Sequence, residues 1–148
     1  MLTQTLIQLF NRDLDKLIEE INLYKNEEHL WLTTEDVSNC AGNLCLHIAG
    51  NLNAFVGAEL GQTGYIRQRD KEFSLKDVPR TTMIAQIKEV KAIVENTLSK
   101  LTSTDLQQDY PLQVFKRPMT TEYFLVHLTT HLSYHLGQIN YHRRLLDK

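Results

Sequence analysis

The sequence predicts an all-α protein, a four-helix bundle with long interhelical connections. Three observations predict it. Apolar residues recur at three- and four-residue intervals in four separate segments, no convincing strand pair appears, and the three prolines all fall in polar connections between those segments.

In the first segment Leu6, Phe10, Leu14, Leu17, Ile18, Ile21 and Tyr24 form one apolar stripe, with charged residues on the other faces. This predicts a helix over about residues 3–26. After the polar stretch NEEHLWLTTEDVSN, the residues Leu44, Ile48, Leu52, Phe55 and Val56 predict a second helix over about 38–61. Gly42, Gly50 and Gly57 lie inside it, with Ala49 nearby. Each interior glycine costs about 1 kcal/mol relative to alanine, and a smooth face that admits another helix is the expected compensation. The connection GQTGYIRQRDKEFSLKDVP follows, and then Thr81 or Thr82 is expected to cap a third helix over about 81–102. Its stripe is Ile84, Ile87, Val90, Val94 and Leu98. A second long connection, with Pro111 and Pro118, leads to a fourth helix from near Thr120 to about Leu146. Leu128, Leu132, Ile139 and Leu146 face inward there, and Arg143 and Arg144 suit its C-terminal dipole end. Both long connections are either crossovers or covers over one end of the bundle.

The 148 residues fit one domain, 1–148, large enough to bury a sizeable core. A net charge of −2 gives no electrostatic reason to expect nucleic acid or an anionic membrane as partner. No apolar run approaches transmembrane length. The N-terminal residues lack a basic start and soon meet Asp13 and Asp15, so a signal peptide is not expected and a cytoplasmic location is. Cys40 and Cys45 lie five apart in the second helix, on different faces, and are expected to be buried thiols rather than a disulfide.

The histidines carry the chemistry. Four of the six lie in the fourth helix, as H127LTTH131LSYH135LGQINYH142. His127, His131 and His135 share a face, and neighbours at i and i+4 rise only about 6 Å, so two imidazoles can reach one ion. The outer pair is about 12 Å apart along the axis. A metal pair is therefore His127 with His131, or His131 with His135. The third ligand has to come from another helix, and His47 is the candidate, on the same side as Leu44, Asn51 and Phe55. His29 sits in a loop and is expected to be exposed. Gly137 leaves room beside the pair, and Gln138, three residues beyond His135, can hydrogen-bond near the metal.

At this level of detail the segments HLSYHLGQINYHRR and GNLCLHIAGNLNAFVGAELG resemble the fourth- and second-helix signatures of the DinB/YfiT-like superfamily of metalloenzymes, and GYIRQRDKEFS is similar to a loop in one of its branches. The resemblance implies a four-helix bundle, often dimeric, with three histidines on a divalent metal. Carried onto this chain, those histidines are His47, His131 and His135, which leaves His127 as a neighbour. Many members have arginine after the second paired histidine. This chain has Leu136, so any contact made by that arginine is not made here.

Two functions follow as expectations. Three neutral histidines leave an ion its full charge and open coordination positions, as in catalytic sites. Relatives in the superfamily use low-molecular-weight thiols such as bacillithiol or mycothiol. A thiol S-transferase acting on electrophilic small molecules is thus the first expectation, with metal-dependent hydrolysis second. The alternative is a non-enzymatic metal-binding stress-response or ligand-binding protein. Imidazole ligands suit zinc and nickel, and also iron and copper. Arg67 and Arg69, with Tyr65, are candidates to bind an anionic thiol cosubstrate. Glu59 is the carboxylate nearest the histidine pattern. A homodimer is expected from the glycine face and from the resemblance.

Overall fold

The computed structural model describes residues 1–148. The chain forms α1 (Leu2–Leu23), a 3-10 turn (Glu27–Trp31), α2 (Ala41–Leu52), a π-helical stretch (Asn53–Ala58) leading directly into α3 (Glu59–Gly61), α4 (Arg69–Ser74), α5 (Arg80–Ser99), α6 (Ser103–Gln107) and α7 (Thr121–Leu146). No strand is present, only the isolated bridges Thr34–Val37 and Asp109–Thr120. α2, the π stretch and α3 make one rod, so α1, this rod, α5 and α7 are the four long members of an all-α bundle. No helix is long and apolar enough to cross a membrane.

Most of the stripes read from the sequence form the core, but Ile18, Phe55 and Ile84 are only partly buried against it, and Leu146, expected inward, is half-buried near the end of α7 outside it. Leu6, Phe10, Leu14, Leu17 and Ile21 of α1 are buried against Ile87, Val90, Val94 and Leu98 of α5 and Leu125, Leu128, Leu132 and Ile139 of α7. Each such side chain, fully removed from water, contributes about 1.5–3 kcal/mol before chain entropy is counted. All twelve residues of α2 are buried, because α7, α5, α4 and the 3-10 turn surround it. This explains its glycines. A Cβ at Gly42 would stand 2.7 Å from the Trp31 ring, one at Gly50 would strike the Glu72 side chain, and one at Gly57 would press on Ile93 of α5 at 3.2 Å. The smooth face is filled by the chain's own residues and is not presented to a second copy.

Helix ends depart from the sequence reading where tertiary contacts decide them. α5 starts at Arg80 with Pro79 as its N-cap, so neither Thr81 nor Thr82 caps it. The Arg80 N–H instead donates to the Glu27 carboxylate (2.5 Å), and the Arg80 guanidinium donates to the Asn22 and Tyr24 carbonyls. An orphan donor satisfied from a distant segment has no local signature. α1 stops at Leu23 because the chain turns extended at Tyr24, and the Lys25 and Asn26 N–H groups donate to Asp147 (2.7 and 3.3 Å). His29 bonds the same carboxylate through Nδ1 (2.9 Å) and is half-buried, not an exposed loop residue. At α7 the expected start holds, with the Thr120 hydroxyl accepting from the Tyr123 N–H. Arg143 pairs with Glu20 of α1 (2.8 Å). Cys40 and Cys45 are buried and free, and burial pushes the Cys45 thiol up to about 12.

The long connections are covers. Residues 62–79 fold back so that α4 packs on α2, and α6 packs on α7. The second connection is pinned by Tyr110, whose N–H donates to the Met119 carbonyl (2.8 Å) and whose hydroxyl donates to the Phe55 carbonyl in the π stretch (2.6 Å).

Candidate metal centre

α2 and α7 run beside each other and bring together side chains 84 residues apart. His47, buried on α2, places its Nε2 3.2 Å from Nε2 of His131. His135, one turn further along α7, places its Nε2 3.1 Å from the same atom. One nitrogen from each ring lies within 4.8 Å of the others, and no carboxylate or thiol joins them. His127 stays outside this cluster. Its ring centroid is 6.4 Å from that of His131, and it packs against Phe115 (4.8 Å) and Phe124 (5.8 Å). Of the two pairs that spacing left open, the fold brings His131 and His135 to His47.

The proton positions follow from the neighbours. Nδ1 of His47 faces Oε1 of Glu72 at 3.0 Å, and Nδ1 of His135 faces Oε1 of Gln138 at 2.7 Å. Both partners are acceptors, so in the neutral imidazoles that a metal ion requires both Nδ1 atoms carry the hydrogen and both Nε2 atoms present bare lone pairs. Arg67 Nη2 lies 3.4 Å from the same His47 nitrogen, too far to compete with the carboxylate. Burial pushes His131 down to about 3, and the neighbouring His135, His47, His127 and Arg67 push the same way. His135 is also lowered by burial, with the Gln138 hydrogen bond opposing and His47 adding to the fall. His131 Nε2 holds at most one hydrogen, yet it faces two lone pairs. At least one of the two close nitrogen contacts is therefore lone pair against lone pair, an arrangement that a cation between them would relieve. Tetrahedral coordination with metal–nitrogen bonds of about 2.0–2.1 Å requires ligand nitrogens about 3.3–3.4 Å apart. The donor set and the two contacts of His131 Nε2 fit a divalent ion.

Glu72 is the residue that the sequence reading missed. Glu59 was the expected neighbour, but it lies on α3 and bears electrostatically on Tyr110 instead. Glu72 stands on α4 and is buried. Burial alone would raise its pKa, but hydrogen bonds from His47 and Arg67 and the charge of Arg67 outweigh it, holding the carboxylate below its usual range. Arg67 grips it with two bonds of 2.9 Å, Nε to Oε2 and Nη2 to Oε1, and lies 5.6 Å over the Phe55 ring. Its guanidinium is engaged within the chain. Arg69 is exposed and lies 5.5 Å over Phe73, whose ring packs on His47 at 5.0 Å. Tyr65 lines a cavity of about 560 Å³ with Gly50, Lys71, Glu72, Gln86 and Ile93. None of the three clustered histidines lines that cavity. Gln138 makes the hydrogen bond expected of it, and the space around Gly137 is open.

An all-α bundle with three histidine nitrogens converging between two of its helices defines the class of protein. The chain belongs to a family described as a protein of unknown function (DUF1572), whose model matches residues 3–148. No curated protein matches it.

Proposed function

We propose that the chain holds one divalent metal ion on His47, His131 and His135 and is a cytoplasmic, metal-dependent enzyme, a thiol S-transferase acting on electrophilic small molecules. The observation that carries the metal reading is the convergence of three Nε2 atoms, two with their ring hydrogens already donated elsewhere. The resemblance of the second- and fourth-helix segments to the DinB/YfiT-like superfamily supports it independently. Zinc or nickel is the first choice of ion, and iron is compatible with the same ligands. The absence of a fourth protein donor in the cluster supports catalysis over a purely structural site, since it leaves coordination positions for a small molecule.

When bound, a divalent ion stabilises a thiolate over its thiol at neutral pH. The chain's own residues do the rest. A metal ion binds imidazole in its neutral form, so His47, His131 and His135 would add no charge to offset the cation. Half-buried His131 and His135 limit water around the reacting sulfur. In the reaction the sulfur lone pair forms a bond to the electrophilic carbon, the leaving group departs with its bonding pair, and the thiol proton passes to solvent. Arg69, exposed beside Phe73, is the freer of the two candidate arginines for an anionic cosubstrate. Self-assembly into a homodimer, expected from the resemblance, has to use a surface other than the glycine face.

One observation favours a second reading. The 560 Å³ cavity does not open onto the histidines, which suits a metal-binding or ligand-binding protein without turnover. Metal analysis of the purified chain, followed by conjugation assays, separates the readings. A panel of thiols including bacillithiol and glutathione is offered with a haloarene or an epoxide, with and without added zinc or nickel. Metal-dependent conjugation that survives Cys40→Ser and Cys45→Ser supports the transferase. Metal binding without turnover on any thiol moves the assignment to metal-assisted hydrolysis, tested on ester and amide substrates, and then to the binding protein.

A further inference from the structure

We propose that Glu72 is the positioning residue of the metal centre and that Gly50 is the gap in α2 that admits it. This rests on the metal reading above and deepens it. Three residues of α2 at i, i+4 and i+7 share one face toward α4: Asn43, His47 and Gly50. Each handles a different part of Glu72. The Asn43 amide donates to the Glu72 carbonyl (2.9 Å) and to the Leu75 carbonyl (2.8 Å), fixing the α4 backbone against α2. His47 gives its Nδ1 hydrogen to the Glu72 carboxylate (3.0 Å). Gly50 leaves the space that the carboxylate fills, since a Cβ there would come 2.6 Å from Glu72 Cδ and overlap Oε2.

The arrangement has a chemical consequence. An imidazole has two nitrogens and two ring orientations, and only one combination offers Nε2 toward α7 with its lone pair free. A carboxylate on Nδ1–H selects that combination and makes the ring a stronger donor. Arg67, holding both carboxylate oxygens, stops the acceptor from rotating away. Glycine inside a helix is unfavourable by itself, so its presence opposite the carboxylate is accounted for by this contact.

The experiment measures zinc affinity, by competition with a chromophoric chelator, for the unaltered chain, Glu72→Ala, Glu72→Gln, Gly50→Ala and the double variant Gly50→Ala/Glu72→Ala. Glu72→Ala should weaken binding about 10- to 100-fold. Gly50→Ala should cause a similar loss although every ligand and the carboxylate remain. The double variant should bind no more weakly than Glu72→Ala alone, because the methyl group acts only through the carboxylate it displaces. Glu72→Gln keeps an acceptor for Nδ1–H and should lie between the unaltered chain and Glu72→Ala. It also preserves the test if the alanine variant fails to fold. A separate readout needs no metal: the exchange-protected His47 Nδ1–H proton, seen by NMR, should persist in Glu72→Gln and vanish in Gly50→Ala. If the unaltered chain binds zinc and Glu72→Ala or Glu72→Gln binds it equally well, the positioning role is overturned and the metal reading stands. The same holds if Gly50→Ala costs as much in the Glu72→Ala background as alone. If the unaltered chain binds neither zinc nor nickel, the metal reading falls and takes this inference with it.

Discussion

His47, His131 and His135 meet through single nitrogen atoms, so each is a separate point of failure. Replacing any one by alanine should abolish tight zinc or nickel binding, because two imidazoles make a weak site, whereas His127→Ala should leave metal content nearly unchanged. Elemental analysis of the four purified variants decides it, and full occupancy in His47→Ala or loss in His127→Ala alone would sink the assignment. Much of this cluster is legible in the sequence. Histidines spaced by four on a helix announce a shared face, and the apolar companions of His47 announce an inward side chain. What spacing cannot do is choose between His127 and His135, since both lie one turn from His131. That choice depends on where α2 crosses α7. Glu72 was not legible at all. It lies in a polar run between two helices and reaches His47 through a chain reversal of 25 residues, which no local period encodes.

Helices are where the sequence speaks most clearly, because each of the four long rods buries a stripe and the stripe has a period. The short elements have none. The 3-10 turn, the π stretch, α4 and α6 owe their form to what they pack on, such as Tyr110 against the Phe55 carbonyl. The glycines are legible as unusual but not as to purpose, since the groups facing them come from elsewhere in the chain. Two of them make opposite predictions. Gly137, within α7, has nothing within 4 Å of a Cβ position, so Gly137→Ala should stabilise the chain by about 1 kcal/mol through helix propensity alone. Gly42→Ala should destabilise it by about 1–3 kcal/mol, because the Trp31 ring has to move. Urea midpoints of the two variants check both signs. His142 makes a prediction about the end of α7. It is buried, with Nδ1 2.7 Å from the Tyr24 hydroxyl and Nε2 2.8 Å from the Leu32 carbonyl. Burial lowers its pKa, the bond to Leu32 opposing, so the folded chain takes up the proton less readily than the unfolded one. The stability it contributes is complete above the unfolded value of about 6.5 and is lost as pH falls below it. Between about pH 7.5 and 5.5 the metal-free chain should lose more stability than His142→Gln does. Equal losses would place the pH response elsewhere.

On the scale of the whole molecule, the bundle and its cover differ in how they are held. α1, α5 and α7 are joined through a continuous apolar core, and α2 is enclosed on every side. α4 is attached differently. Only Glu72 among its six residues is buried, and its ties to α2 are the Asn43 amide, the Glu72 carboxylate and the half-buried Phe73 ring on His47. Polar ties of this kind are exchanged for water at modest net cost, whereas opening the core exposes apolar surface. The amides of α4 should therefore exchange with deuterium well before those of α1 or α5, at a rate that denaturant hardly changes. Exchange of α4 in step with the core would mean that no such separate opening exists. With that separation, the two halves of the metal site would have different lifetimes: the three imidazoles persist as long as the bundle does, while the clamp on His47 releases and re-forms many times between global unfolding events. An ion held on the three Nε2 atoms would then stay while Glu72, behind the His47 ring, lets go and returns, and its affinity would average over the clamped and released states of that one ligand.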